Sequence, residues 1–369
     1  MNVLMVTPHL PPHQAANALL PHLLGQGLVQ RGHQVQYLTF GPGAAAAGVS
    51  YVKRRSRRLR ATRVPQAMEA METWMRARPL LARADVVHVH SSTWMNHVAA
   101  RLAVARRKPY VLTHYGTEIW HHDGHDPAFR RFNRDAHHVA FYSRALLERA
   151  WALAVPARAT SVIYPPVADA FRPMIPRQRE AVRRRFAPGS GPLLLNVKRL
   201  HPLADQRTLL LAMAEVIRAR PDATLLVAGV GEEEARLKAL AEHLSLGESV
   251  RFLGLVPNDE VAVLQGGADL FVLSSVLEAT PTVALEALAC GTPVVSTDNP
   301  GGVELREAFG DDVRVVPKRD PAALADAILA FLAAPRRTRP HSDRAIQERF
   351  RLPGVVDRYL GLYREAAGA

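Results

Sequence analysis

The residues from Asp269 to Ser296 constrain the fold more than any other stretch. Asp269 to Leu273 is an apolar run with the length of a buried strand. A turn of small and polar residues follows. A helix is then expected from about Thr282 to Ala289, closed by Gly291 and Pro293. A second apolar run, Val294 to Ser296, comes next. Strand, loop, helix, strand is the repeating unit of a parallel sheet. The loop then sits at a strand's carboxyl end and a helix's amino end, where ligands bind in open α/β sheets. Unpaired backbone N–H groups and the helix dipole suit an anion such as phosphate there.

The same loop carries Glu278, and its helix carries Glu286. Carboxylates accept hydrogen bonds from neutral hydroxyls, and a sugar or ribose is rich in these. Amides for phosphate and carboxylates for hydroxyls together describe a nucleotide-sugar site. The plainer alternative makes Glu278 a helix cap and Glu286 a solvated helix residue.

The 369 residues suffice for two domains, and 48% apolar content supports substantial cores. The single cysteine, Cys290, excludes a disulfide framework or cysteine zinc site within one chain and fits a reducing cytosol. No stretch has the roughly 18–20 uncharged apolar residues of a membrane helix. Met1 leads directly into a strand-like run, which reads as no secretory signal. The expected location is the cytoplasm, including the inner face of the membrane. The net charge is +13, and only five of 47 basic residues are lysine. That balance favours anionic partners. Nucleic acid is not expected, because no recognised motif or aromatic-interleaved basic patch is present.

Along the chain, strands at Val3–Val6 and Gln34–Thr39 flank a helix expected over Ala18–Gln30, a βαβ opening. Between Tyr51 and Arg63 stand Lys53, Arg54, Arg55, Arg57, Arg58, Arg60 and Arg63. A helix over Pro65–Ala82 follows, with Met68, Met71, Trp74 and Met75 at helical spacing. One reading is a basic and apolar element that contacts anionic membrane. The other is a solvated loop, with a helix that packs its Met and Trp into the core. Strands at Asp85–His90, Tyr110–Thr113, Val139–Tyr142 and Ser161–Ile163 complete a first sheet. The histidine-rich segment from His114 to His125 follows a strand end but matches no zinc spacing, so no metal is expected. After a Pro-rich linker, Tyr164 to Pro176, the pattern restarts with strands at Leu193–Val197, Thr224–Ala228, Val250–Phe252, Asp269–Leu273, Val294–Ser296 and Val313–Val315.

An ordered series of motifs in the second half includes Asn196-Val-Lys-Arg-Leu200, Val227-Ala-Gly-Val-Gly231, Phe252-Leu-Gly-Leu-Val-Pro257 and Ala268-Asp-Leu-Phe-Val-Leu-Ser274. It continues through Glu278, seven residues, Glu286 and Gly301-Gly-Val-Glu304. This series resembles glycosyltransferase family 4. The resemblance implies the GT-B fold: two facing Rossmann-like domains with a cleft between them, and a carboxy-terminal helix returning to the first. The implied domains are an acceptor domain over 1–170, a donor domain over 171–343 and the returning helix over 344–369. It implies a retaining, metal-independent transfer from a nucleotide-diphosphate sugar, with no cofactor, to a saccharide, lipid or small natural product. Glu278 would bind sugar hydroxyls, and Glu286 the ribose. Backbone amides of Ala279, Thr280, Pro281 and Thr282, as far as each has one, would meet sugar and diphosphate. Arg199 would pair with the diphosphate, Leu255 and Val256 would lie against the base, and Glu304 near it.

Three departures from the family pattern stand out. The lysine that usually follows the arginine is replaced by Ala204 and Asp205, with Lys198, His201 or Arg207 as substitutes. The amino-terminal Gly-Gly loop reads Ala15-Ala16, followed by Asn17. The family's His-Gly reads Tyr115-Gly116, with His114 one residue early and favoured for the catalytic role. Glu118 and His121 join these on the acceptor side. A nucleotide-sugar-binding protein, or a hydrolase or epimerase on the same fold, is the alternative.

Overall fold

The computed structural model describes residues 1–13, 15–41, 47–53, 63–186 and 191–368. The arginines between Arg54 and Arg60 therefore lie outside the described residues. The chain forms two compact units, Met1–Pro166 with Leu352–Ala369, and Val167–Arg351. Residues 344–351, expected with the returning helix, group with the second unit.

The first unit contains β1 (Asn2–Val6), β2 (Gln34–Phe40), β3 (Val49–Val52), β4 (Val86–His90), β5 (Tyr110–His114), β6 (His138–Phe141) and β7 (Thr160–Val162). All pair in parallel in the order β3-β2-β1-β4-β5-β6-β7. Val3 lies opposite Val35 on one side and Val86 on the other, which fixes the register. The strand β3 was not expected. Its four residues, Val-Ser-Tyr-Val, are too short to show a period before the basic run begins.

The helix Leu352–Ala367 belongs to this unit and buries Val355, Val356, Tyr359, Leu360 and Tyr363 against Val3, Met5, Leu24, Leu28 and Val111. Gly27 permits the close approach, since a Cβ there would lie 2.6 Å from a Val356 methyl. Arg31 grips both oxygens of Asp357, at 2.5 and 3.2 Å.

The helix Arg63–Arg83 corrects one expectation. It buries Pro65, Glu69, Thr73, Ala77 and Leu81, every fourth residue, against the unit. Met68, Met71, Trp74 and Met75 face away from it. Met and Trp at helical spacing normally mark a core face. Here the small Thr73 and Ala77 sit on the inner face instead, where they let the helix lie close.

The second unit contains β8 (Leu193–Val197), β9 (Thr224–Ala228), β10 (Val250–Gly254), β11 (Leu270–Leu273), β12 (Val294–Thr297) and β13 (Val313–Val316). They pair in parallel in the order β10-β9-β8-β11-β12-β13. The order reverses between β8 and β11, so a crevice opens past their carboxyl ends. The core is aliphatic, led by Leu194, Leu210, Met213, Leu225, Leu270 and Ile328. No helix among the described residues is long and apolar enough to cross a membrane.

Candidate functional site

Chain leaving β8 continues extended through Lys198, Arg199 and Leu200. The Lys198 amide donates to the Ala228 carbonyl at 3.0 Å, and the Leu200 amide to that of Val230 at 3.1 Å. Gly229 and Gly231 make this possible. A Cβ on either would lie 2.0 Å from the carbonyl oxygen of Lys198 or Leu200, respectively. The backbone at Lys198 thus packs against glycines at positions that have no room for a side chain.

Lys198 reaches across the switch point between β8 and β11. Its Nζ lies 2.5 Å from Glu278 Oε1, and the Glu278 side chain is only 11% exposed. The loop that carries Glu278 is fixed from three sides. Ser274 Oγ donates to the Ala204 carbonyl at 2.8 Å, and the Val276 amide to Leu203 at 2.9 Å. The Gly301 amide donates to the Glu278 carbonyl at 3.0 Å. Gly301 can come this close because it has no Cβ, which would stand 2.6 Å from Pro281 Cδ.

Ala279 and Pro281 are buried, and Thr280 and Thr282 half-buried. The helix Thr282–Ala289 starts with no side-chain cap, and the Ala284 amide donates to the Pro281 carbonyl at 2.9 Å, which leaves the amides of Thr282 and Val283 for a ligand. Glu286 stands on this helix. Loss of hydration pushes its carboxyl up to about 8, and no cation or hydrogen bond among the described residues offsets that. A half-enclosed carboxyl without a protein partner is costly unless something else supplies the donors.

Leu255 is 62% exposed, Val256 half-buried and Val230 exposed. The Gly229 amide bonds the Gly254 carbonyl at 2.7 Å, which brings their two loops together. Glu304 is buried in the helix Pro300–Phe309. Arg199 is 71% exposed and leans 3.2 Å from Glu232, which also has His201 at 3.5 Å. Ala204 is buried. Asp205 adopts a left-handed conformation and caps the helix Gln206–Ala219, accepting from Thr208 Oγ1 at 2.7 Å. Its carboxylate is therefore occupied.

Sequence reasoning missed Asn299. It caps the helix Pro300–Phe309 by accepting from the Gly302 amide at 2.8 Å, and donates to the Ser275 carbonyl at 3.2 Å. The Asn-Pro dipeptide was the available signal, as a cap followed by Pro at the first helical position.

In the first unit the strand ends are filled from within. His114 is fully buried, with Nε2 2.7 Å from Asn133 Oδ1. Strand alternation turns the ring into the core, where Nδ1 has no hydrogen-bond partner among the described residues. Glu118 sits 3.5 Å from His114 Nδ1 and accepts from the Tyr115 amide at 2.8 Å. Burial raises its carboxyl, but the bonds to His114 and the backbone outweigh this and hold it below the usual range. The Tyr115 hydroxyl is 2.9 Å from His90 Nδ1 and 3.4 Å from that of Tyr142. His121 and Ala16 are exposed, and Ala15 precedes the helix Ala16–Gln30 without capping it. Asn17 accepts from Thr7 Oγ1 through its backbone at 2.6 Å, while its buried Oδ1 has no hydrogen-bond partner.

Two family models divide the chain. One described as Glycosyltransferase Family 4 matches residues 22–171, and one described as Glycosyl transferases group 1 matches 178–349. The chain belongs to glycosyltransferase family 4. Among its relatives is a GDP-mannose-dependent alpha-(1-6)-phosphatidylinositol monomannoside mannosyltransferase of Mycolicibacterium smegmatis. It is 33% identical over 57% of this chain and 56% of that protein. An N-acetyl-alpha-D-glucosaminyl L-malate synthase of Bacillus anthracis is 25% identical over 92% of this chain and 91% of its own. The chain spans about half the length of the first curated relatives it matches. Among solved structures, Anabaena Alr3699/HepE in complex with UDP superposes with a TM-score of 0.80 at 18% identity, over 99% of this chain and 100% of that one. This family 4 chain therefore has the GT-B architecture. Its second unit gathers Lys198 and Glu278 at the switch point, and its first unit keeps His114 in the core.

Proposed function

We propose that this chain is a retaining glycosyltransferase, moving a sugar from a nucleoside-diphosphate sugar to a hydroxyl of a saccharide, lipid or small natural product. The observation that carries the reading is Glu286, a half-enclosed carboxyl with no partner among the described residues, on a helix that starts without a side-chain cap. Ribose hydroxyls supply the missing donors, and the amides of Thr282 and Val283 take the diphosphate. Lys198 supplies the cation that Ala204 cannot, and Glu278 meets the sugar hydroxyls. Leu255 and Val256 offer an apolar face to the base. Arg199, on its exposed stem, adds a planar fork for phosphate oxygens.

In the reaction the bond between the anomeric carbon and the phosphate oxygen breaks, and the nucleoside diphosphate leaves with the electron pair. The acceptor oxygen bonds the same face of the sugar, and its proton passes to a leaving phosphate oxygen. The cations and helix amides stabilise the charge that develops on the diphosphate. The names of the relatives, and HepE solved with UDP-glucose, support a nucleotide-sugar donor.

The test begins with calorimetric titration of UDP, GDP and ADP and their sugars. At least one should bind, and Glu286→Ala should abolish that binding. Proton NMR of the transfer product should then show the donor's anomeric configuration. Absence of binding by every nucleotide at millimolar concentration would sink the donor reading. An inverted product would sink the retaining step alone.

A further inference from the structure

The helix Arg63–Arg83 is built inside out. Its inner face is Pro65, Glu69, Thr73, Ala77 and Leu81. The opposite face carries Met68, Met71, Trp74 and Met75, exposed by 45, 57, 39 and 54%. These are large apolar side chains on neighbouring turns, so they form one stripe rather than scattered exposures. Arg78 lies within it, its guanidinium 5.2 Å from the centre of the Trp74 ring. Exposed Arg76 and Arg83 flank it. The two acids of the helix do not join the stripe. Glu69 is buried, and Glu72 is 16% exposed and within 3.6 Å of Arg76.

We propose that this helix face docks the protein on an anionic phospholipid bilayer. Charge and chemistry select that occupant. Met and Trp side chains enter the boundary between headgroups and acyl chains, where an indole is at home. The arginines extend apolar stems and leave their guanidiniums among lipid phosphates. A stripe with no exposed acid on a chain of net charge +13 is drawn to a negative surface. The polar side of an interfacial helix ordinarily faces water. Here the protein covers it, so the stripe is presented already folded, at little ordering cost. The proposal does not depend on the donor reading.

The experiment is flotation of the full chain with vesicles of phosphatidylcholine alone, or with about a third phosphatidylglycerol. Wild type should float with the anionic vesicles at low salt, with partitioning that falls at high salt. Trp74 fluorescence should shift to the blue, and the shift should vanish in Trp74→Phe. Met71→Glu with Met75→Glu should cut partitioning at least tenfold, and Arg78→Glu should cut it less. Unchanged circular dichroism and nucleotide affinity would show that the variants fold. Three outcomes overturn the proposal. One is equal flotation on neutral vesicles. A second is full anionic flotation by the double variant, which would place docking elsewhere. The third is no flotation together with a dimer in sedimentation velocity that the double variant abolishes, which would make the stripe an interface between copies.

Discussion

The two units share a plan, a parallel sheet whose order reverses beside its first strand, yet they use their strand ends in opposite ways. In the first unit many buried polar side chains pair with one another, although His90 Nε2 and His114 Nδ1 have no hydrogen-bond partner among the described residues. His88 Nδ1 is 2.6 Å from the Tyr363 hydroxyl, and its Nε2 is 2.8 Å from Thr113 Oγ1, which meets Tyr359 at 3.0 Å. His90 joins through Tyr115. In the second unit, among the described residues, Lys198 pairs with Glu278, and Glu286 has no cation or hydrogen bond. The fold alone does not make a site. A site needs polar groups that a ligand can reach, and Lys198, Glu278 and Glu286 are partly exposed while His90 and His114 are fully buried.

The sharpest way to break this comparison is to remove one group from each unit. Glu286→Ala and Glu278→Ala should each lower kcat/KM at least a hundredfold, about 2.7 kcal/mol of barrier. His114→Ala should leave kcat/KM within threefold while lowering Tm, because it strands Asn133 in the core. Steady-state kinetics and a melting curve on the same samples decide it. A large kinetic loss in His114→Ala with unchanged Tm would give that histidine the catalytic role that its burial denies.

Acid should separate the units next. Burial, with the neighbouring His90, holds His88 well below the ordinary histidine range. Burial alone puts His90 at about 3. Both are neutral when folded and take up protons on unfolding below about pH 6.5. Their contribution is therefore complete above that pH and is lost as pH falls toward the folded values. Each should cost up to about 2 kcal/mol at pH 5. Hydrogen exchange should show β4 and β5 losing protection between pH 6.5 and 5, with β8 and β11 far less affected. Equal loss in both units would remove the histidines as the cause.

A milder cut is Tyr363→Phe, which leaves His88 Nδ1 without its partner while Nε2 keeps Thr113. It should destabilise the first unit by about 1 kcal/mol, read as faster exchange in β4, with nucleotide affinity unchanged.

How much of this was legible beforehand follows from the same difference. Apart from β3, the strands of both sheets show as apolar runs because a parallel sheet is covered on both faces. The Glu278 loop was legible because glycine, proline and carboxylates stand at fixed offsets around it. His114 was legible only in part. Its position after a strand gave it a ligand-facing address, but only the burial of Asn133 and Phe129 around it shows which way the ring turns. The same holds for the helix Arg63–Arg83. Helical spacing shows that Met68, Met71 and Met75 share a face, but not which face the protein covers. Periodicity carries phase without direction, and direction comes from tertiary packing.

The finest test concerns burial itself, which acts on both units but is answered differently. His90 is held neutral by enclosure and has Tyr115 on one nitrogen. Glu286 is enclosed and waits, its carboxyl raised to about 8 by lost hydration alone. At neutral pH the empty site therefore carries this group largely protonated. Ribose hydroxyls that donate to it favour the ionised form, so binding lowers its pKa and releases a proton. Affinity should then rise with pH toward about 8, by at most about tenfold per unit, and level off above. A nucleotide sugar is the right probe, since its diphosphate diester does not titrate in that range. Glu286→Gln should flatten the curve. A flat wild-type curve would mean that the bound ligand does not change the proton on Glu286, and the ribose would have to be placed elsewhere.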